Sequence, residues 1–117
     1  MGFLDRLFKR GPAPTQNNHA VIVHFAYGGT DLSALFELET RLESAIAKAN
    51  AGEFDGNEIA TDGSDGFLYM YGPDADRLFA AIRPCLEETP FTRGAKVQLR
   101  YGPAGEESRE STVVIAT

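Results

Sequence analysis

The stretch that decides the fold is Gly52–Leu86, GEFDGNEIATDGSDGFLYMYGPDADRLFAAIRPCL. It contains a poorly hydrophobic strand pattern, an acidic turn, an aromatic strand pattern, a tight corner and a helical pattern. The turn at 61–66 joins the two strand patterns and predicts an antiparallel hairpin. Phe54 and Ile59 fall on opposite parity in the first strand, which indicates either one exposed side chain or a β-bulge near Gly56. The acidic residues of this strand are typical of a sheet edge, because they discourage unwanted pairing.

The helix that closes this stretch follows Gly72 and Pro73, and Asp74 is placed to cap its first turn. Apolar residues recur at helical spacing on one face of it: Leu78, Ala81, Ile82, Cys85 and Leu86. Pro84 lies inside the helical pattern and predicts a kink or a change of direction there.

Upstream of this stretch, Ala20–Tyr27 is a run of β-branched and aromatic residues that predicts a strand. The apolar stripe that follows predicts a helix from Thr30 or Asp31 to about Asn50, with Gly52 as its C-terminal stop.

Downstream, the clean alternation of residues 95–101 predicts a strand, and residues 110–116 are placed to return as one more strand. The element order is therefore βαββαβ with an additional C-terminal strand. Two split βαβ units of this kind predict an α+β, ferredoxin-like domain, in which a four-stranded antiparallel sheet carries both helices on one face.

The N-terminal residues have a different pattern. Apolar residues recur there at helical spacing among basic ones: Phe3, Leu4, Leu7 and Phe8. They predict a short amphipathic helix that docks on a protein or rests on an anionic membrane, although so few apolar residues would hold a membrane only weakly. Residues 11–18 have the composition of a linker. The predicted organisation is an amphipathic segment with its linker over 1–18 and a single α+β domain over 19–117.

Charge and composition limit the partners and the compartment. The 117-residue chain has a net charge of −6, and the body that follows the basic N-terminal segment is more acidic still. An acidic body is repelled by phosphate backbones, which argues against nucleic acid and favours solubility or a basic protein partner. Cys85 is the single cysteine, so no internal disulfide is predicted. The start is too charged for a signal peptide and no apolar run reaches the length of a transmembrane helix, so we expect a cytoplasmic protein.

A sheet with both helices on one face leaves its other face open, and alternation assigns side chains to that face. The residues predicted there as a protein interface are His24, Phe67, Tyr69, Tyr71, Lys96 and Arg100. This choice places Leu68 and Met70 in the core, because tyrosine tolerates a partly wet site. An aromatic and cationic patch is typical of a protein interface, and a second subunit, the N-terminal helix or the C-terminal strand are alternatives for covering it. The aromatics also suggest an RNA-recognition sheet, but Asp65 is acidic where that motif is basic.

Two other features of the sequence are candidate sites. Gly28, Gly29, Thr30 and Asp31 lie between a strand and a helix N-terminus, where backbone N–H groups hold anions. This loop resembles the ligand position of amino-acid-binding domains of the ACT type. The acidic residues between 53 and 65 lack the fixed offsets of a calcium loop. No motif ties His24 to a nucleophile, so the sequence predicts no catalytic residue, no metal and no cofactor.

The stretches GEFDGNE (52–58) and LYMYGPDADRLF (68–79) resemble those of small uncharacterised bacterial proteins. The resemblance covers most of residues 20–115 and implies a stand-alone α+β domain but no activity. The sequence as a whole predicts a non-enzymatic binding or regulatory module that acts through its open face, as a homodimer or on a protein partner such as a basic enzyme that it inhibits. The alternative is a small-ligand sensor with its site in the loop at 28–31.

Overall fold

The computed structural model describes the backbone of residues 6–10 and all atoms of residues 18–104 and 108–116. The elements, in chain order, are β1 Arg6–Arg10, β2 His19–Ala26, α1 Ser33–Ala49, β3 Glu53–Ala60, β4 Asp65–Gly72, α2 Ala75–Glu88, β5 Lys96–Arg100 and β6 Glu110–Val114. A short 3-10 turn, Pro90–Thr92, links α2 to β5. The predicted α+β class is confirmed. No helix within the described ranges is long and apolar enough to cross a membrane.

All strand pairs in the sheet are antiparallel, and the strands lie in the order β1-β3-β4-β2-β5-β6. β3 and β4 form the predicted hairpin. Their register shifts between Phe54 and Gly56, so of the two alternatives predicted for this strand the bulge near Gly56 is the one that forms. β6 pairs with β5 and supplies the predicted additional C-terminal strand.

One hydrophobic core lies between the sheet and both helices. The strands contribute Val21, Val23, Phe25, Leu68, Met70, Val97 and Leu99, and the helices contribute Leu35, Leu38, Leu42, Ile46, Leu78, Ile82 and Leu86. Leu68 and Met70 are fully buried in this core. Because side chains alternate along a strand, the neighbouring Phe67 and Tyr69 lie on the opposite face of the sheet, as predicted.

The C-terminus of α1 corrects one detail of the prediction. The residue that ends the helix is Asn50, not Gly52, and it adopts the left-handed conformation (φ 50°) that Asn tolerates better than most residues. The N–H of Asn50 donates to the carbonyl of Ala47, and that of Ala51 donates to the carbonyl of Ile46, both at 3.1 Å. This pair of bonds is the Schellman ending, which satisfies carbonyls that the helix itself leaves open.

α2 begins where the sequence predicts and continues past its proline. The Asp74 carboxylate accepts the N–H groups of Asp76 and Arg77 at 3.1 and 3.2 Å, so it caps the first turn. Pro84 was predicted to kink or redirect the helix, but α2 runs through it to its end as one helix. The proline lies on the exposed side, and the buried face of the helix holds both halves against the core.

The N-terminal segment departs from the prediction of a helix. Arg6–Arg10 form β1, which pairs with the side of β3 away from β4, so the edge strand is β1 and not β3 as predicted. An isolated helix of two turns is marginal in water, whereas the edge of β3 offers unpaired backbone groups to an extended segment. Phe3, Leu4 and residues 11–17 of the predicted linker lie outside the described residues.

Candidate protein-interaction surface

The face of the sheet opposite the two helices, called the open face here, carries alternate residues of its strands. They are Ile22, His24 and Ala26 of β2, Phe67, Tyr69 and Tyr71 of β4, Lys96, Gln98 and Arg100 of β5, and Glu110, Thr112 and Val114 of β6. All interface residues predicted from the sequence lie on this face. The register places His24 between Phe67 on one side and Lys96 on the other.

Exposure varies across the open face. Tyr71 is only 4% exposed, so a partner has little access to it, although it was predicted as an interface residue. Phe67 and Tyr69 are half-buried, whereas His24 and Lys96 are exposed. The accessible part of the open face therefore lies around the second half of β2 and along β5 and β6.

A stack of three rings crosses the accessible part of the open face. The His24 and Phe67 rings are 4.4 Å apart and nearly parallel (10°), and the Phe67 and Tyr69 rings are 6.1 Å apart with planes at 20°. Both ends of the stack are held by carboxylates. Nε2 of His24 lies 2.8 Å from Oδ2 of Asp65, and the Tyr69 hydroxyl donates to Oε1 of Glu58 at 2.7 Å. The rings are thus fixed before any partner arrives and lose little side-chain freedom on binding.

Two shallow hollows adjoin the ring stack. The first, of about 280 Å³, is lined by Ile22, His24, Phe67, Lys96, Gln98 and Thr112. The second, of about 290 Å³, lies beyond the end of β2 and includes Phe91 and Arg93. Because His24 and Lys96 line both hollows, a bound segment can run from one into the other past a cation and an imidazole.

The two predicted cations of the open face differ in their freedom. Nε of Arg100 donates to the carbonyl of Gly102 at 2.8 Å, so this half-buried side chain is held against the loop after β5. Next to it, Nε2 of Gln98 donates to Oε1 of Glu110 at 2.7 Å, which links β5 to β6. The Lys96 side chain is exposed. Lys96 is therefore better placed than Arg100 to meet a carboxylate of a partner.

The predicted small-ligand loop at 28–31 is bonded within the protein. The N–H groups of Gly28 and Gly29 both donate to the carbonyl of Gly63, at 2.7 and 3.1 Å. Oδ1 of Asp31 accepts the hydroxyl and the N–H of Ser33 at 2.7 and 3.0 Å, and these bonds hold the pKa of the Asp31 carboxyl below its usual value. The glycine donors are engaged and a carboxylate lies at the helix N-terminus, so the loop is poorly suited to an anion.

The contact between this loop and the β3–β4 turn requires glycine at position 63. Gly63 has a φ of +75°, and a Cβ added to it would lie 1.8 Å from the carbonyl oxygen of Gly29. Thr30, also predicted as a ligand residue, is exposed beside this contact. The two backbone segments are therefore locked together.

The acidic residues around the turn have local structural roles. Oδ1 of Asp62 accepts the N–H of Ser64 at 3.0 Å within the turn, while Asp65 and Glu58 hold the two ends of the ring stack. In the ranges that the structure describes, no group of three or more His, Cys, Asp or Glu residues is arranged to hold a metal ion. These contacts account for the density of acid at this end of the hairpin.

Cys85, which its spacing places on the apolar face of the predicted helix, is half-buried on α2. Its Sγ lies 3.9 Å from the carbonyl oxygen of Arg41 on α1, and burial raises the pKa of the thiol. Cys85 therefore lies on the helix side of the sheet, whereas His24 lies on the open face. A Cys–His catalytic pair would need both groups on one side.

Two structural roles could not be read from the sequence, one on the open face and one at the start of α2. Thr112 and Val114 complete the open face, but the parity of β6 is known only once its register with β5 is known. His19 was assigned to the border of the linker, yet its Nδ1 accepts the N–H of Ala75 at 3.1 Å and helps to cap α2. Neighbouring residues in the sequence indicate neither role, because each depends on pairing with a different segment of the chain.

Comparison with protein-family models, with curated proteins and with solved structures found no match. The resemblance of residues 52–58 and 68–79 to bacterial proteins therefore stays a prediction. What the open face does has to follow from its own geometry and chemistry.

Proposed function

We propose that this protein is a non-enzymatic cytoplasmic module that binds another protein through the accessible part of its open face. The observation that carries the proposal is the fixed stack of His24, Phe67 and Tyr69 beside the exposed Lys96. Aromatic anchors are enriched in protein interfaces, and rings that are already ordered bind at a lower entropic cost. The single cysteine suits a reducing compartment.

The charges of the protein would affect a partner in two ways, by long-range attraction during approach and by direct contact once bound. The net charge of −6 attracts basic proteins during approach. At contact, Lys96 and the adjoining hollows accept an extended segment with a carboxylate near its middle. One version of this function is an inhibitor or immunity-type protein that covers the surface of a basic enzyme.

We further propose that the domain belongs to the ferredoxin-like folds. The succession β2-α1-β3-β4-α2-β5 follows the βαββαβ order, and the neighbouring strands β3-β4-β2-β5 are antiparallel. The shared core of both helices with one face of the sheet supports the same assignment. Such an arrangement leaves the open face available to a partner.

Partner capture by two charge-matched variants tests the proposed function. Lys96→Glu reverses the exposed cation of the open face, and Lys48→Glu makes the same change of net charge on the exposed side of α1. Immobilised wild type and both variants are incubated with extract of the source cell, and the bound proteins are identified by mass spectrometry. We expect one partner to bind wild type and Lys48→Glu and to be lost with Lys96→Glu. Equal capture by Lys96→Glu would place the binding surface elsewhere.

A second measurement separates this function from that of a small-ligand sensor. Thermal unfolding of wild type is followed against a library of amino acids and small anions. We expect no compound to raise the melting temperature, because the glycine donors at 28 and 29 are already bonded. A compound whose effect is lost in Asp31→Ala but kept in Tyr69→Glu would instead support the sensor.

A further inference from the structure

The strand β6 forms one edge of the sheet. The hydrogen bonds just before and just after it in the chain show which of its residues direct their backbone N–H and C=O groups toward β5. The N–H of Tyr101 donates to the carbonyl of Arg109 at 2.8 Å, and the N–H of Ile115 donates to the carbonyl of Ala95 at 2.9 Å. Bonded and non-bonded pairs alternate along an antiparallel ladder. Residues 109, 111, 113 and 115 therefore direct their N–H and C=O groups toward β5, and residues 110, 112 and 114 direct theirs away from the sheet.

This edge carries little of the usual protection against pairing. Natural edge strands carry lysine, proline, an inward-facing charge or a bulge. The sequence of β6 is ESTVV, and its register with β5 runs without a shift. Val114 is 57% exposed, and Glu110 and Thr112 are exposed too. The outward backbone groups of these three residues are thus accessible to another strand.

We propose that β6 pairs with β6 of a second copy of this chain, antiparallel about a two-fold axis at Thr112. The outward groups of Thr112 then bond to those of Thr112 in the second copy, and Glu110 lies opposite Val114 of the second copy. Three properties favour this occupant. The register is self-complementary, as two-fold symmetry requires. It opposes no like charges, and it places β-branched side chains across the new ladder.

The second copy extends the sheet rather than covering its face. In this arrangement the two sheets join at β6, and the two open faces lie side by side on one continuous surface. Both copies use the same edge, β6, so the interface is isologous and the association closes at two copies. One pair of short strands buries less surface than a stable homodimer, so the dimer should dissociate on dilution. The proposal stands apart from the proposed function, because Lys96→Glu tests the face and not the edge.

Sedimentation velocity over a series of concentrations tests the proposal with the full chain. We expect wild type to change from a species of 12.7 kDa to one of twice that mass as concentration rises. Thr112→Pro removes an N–H that points away from β5, so it should keep the fold by circular dichroism and stay monomeric at all concentrations. Thr112→Val keeps the N–H and should dimerise like wild type. A dimer that persists in Thr112→Pro, or a wild type that remains monomeric throughout, overturns the proposal.

Two further measurements examine the two-fold register itself. Thr112→Glu and Thr112→Lys place like charges opposite each other in their own dimers, so each should be monomeric alone, and an equimolar mixture should restore the dimer. Amide hydrogen exchange should slow at 110, 112 and 114 as concentration rises, while residues 111 and 113 are protected throughout. A mixture that stays monomeric, or protection that does not alternate, contradicts pairing about Thr112 and leaves the edge open to a different protein.

Discussion

One edge strand of the sheet is β1, whose sequence RLFKR carries three cations, and the other is β6, whose sequence ESTVV carries one carboxylate. β3 is rich in acid, carries a bulge between Phe54 and Gly56, and pairs with the basic segment RLFKR. β6 is regular and nearly uncharged. The difference indicates that the chain pairs the acidic strand β3 with β1 and protects that edge with charge, whereas the β6 edge is left for association.

The largest expected effect is the difference in stability between proline substitutions at two neighbouring positions of β6. Val113→Pro removes an N–H that points toward β5, and it should lower the free energy of unfolding by about 3 kcal/mol or more. Thr112→Pro removes an N–H that points to solvent, and it should change that free energy by about 1 kcal/mol or less. Urea unfolding of both variants measures the difference. A larger loss for Thr112→Pro than for Val113→Pro would mean that the N–H of residue 112, and not that of residue 113, points toward β5. Equal losses would also contradict the inferred alternation.

Deletion of residues 1–11 removes β1 and makes β3 the edge strand. We expect the free energy of unfolding to fall by about 2 kcal/mol, because several backbone hydrogen bonds are lost, each worth about 1 kcal/mol net. The backbone groups of β3 that were bonded to β1 are then unpaired, so species larger than a dimer should form, and light scattering detects them. Deletion of residues 1–5 keeps β1 and is the control. A deletion of 1–11 that leaves both stability and mass unchanged would show that β1 does not protect β3 from pairing.

The bulge of β3 gives a smaller effect. Gly56 has a φ of 128°, which an L side chain rarely adopts, so Gly56→Ala should cost about 1 to 2 kcal/mol of stability. Thr112→Val on the regular edge should stay within about 0.5 kcal/mol. Chemical denaturation of the two variants compares them. If Gly56→Ala left the stability unchanged, the backbone of the bulge would be able to relax and accept a side chain.

The smallest effect concerns the exposed apolar residue of β6. Val114→Thr keeps the shape of the side chain but makes it more polar, and the site is 57% exposed. Unfolding free energy should stay within about 0.5 kcal/mol. The proposed dimer should weaken by a few-fold in sedimentation, because a partly buried apolar contact across the two-fold axis is lost. A dimer strengthened by the change would argue against that contact.

The prediction of the fold succeeded for elements whose conformation depends on neighbouring residues. It failed for the element whose conformation depends on a segment far away in the chain. The hairpin, the bulge near Gly56 and the cap at Asp74 depend on turn residues and nearby parity, which the sequence displays directly. The strand at Arg6–Arg10 depends on a partner strand some fifty residues away in the chain. Short apolar runs fit a helix or a strand equally well, so their spacing alone could not decide.

The same division holds for the candidate surface. Alternation along β2, β4 and β5 was enough to place the predicted residues on the open face. Alternation does not report burial, so it gave no sign that Tyr71 is nearly inaccessible. It also gave no sign that Asp65 holds His24, because that contact follows from the β2–β4 register. The accessible part of the surface could be defined only with the structure.

The contact of Gly63 with the Gly28–Gly29 loop has a consequence for how this chain can vary during evolution. Hairpin turns usually tolerate insertions, because their tips lie in solvent. Here the tip is bonded to another loop, and its carbonyl accepts two N–H groups at once. Lengthening either segment by one residue would break both bonds, so we expect descendants of this chain to keep both loop lengths and the glycine at 63. Variation in length should accumulate instead between Gly102 and Arg109, next to the edge strand.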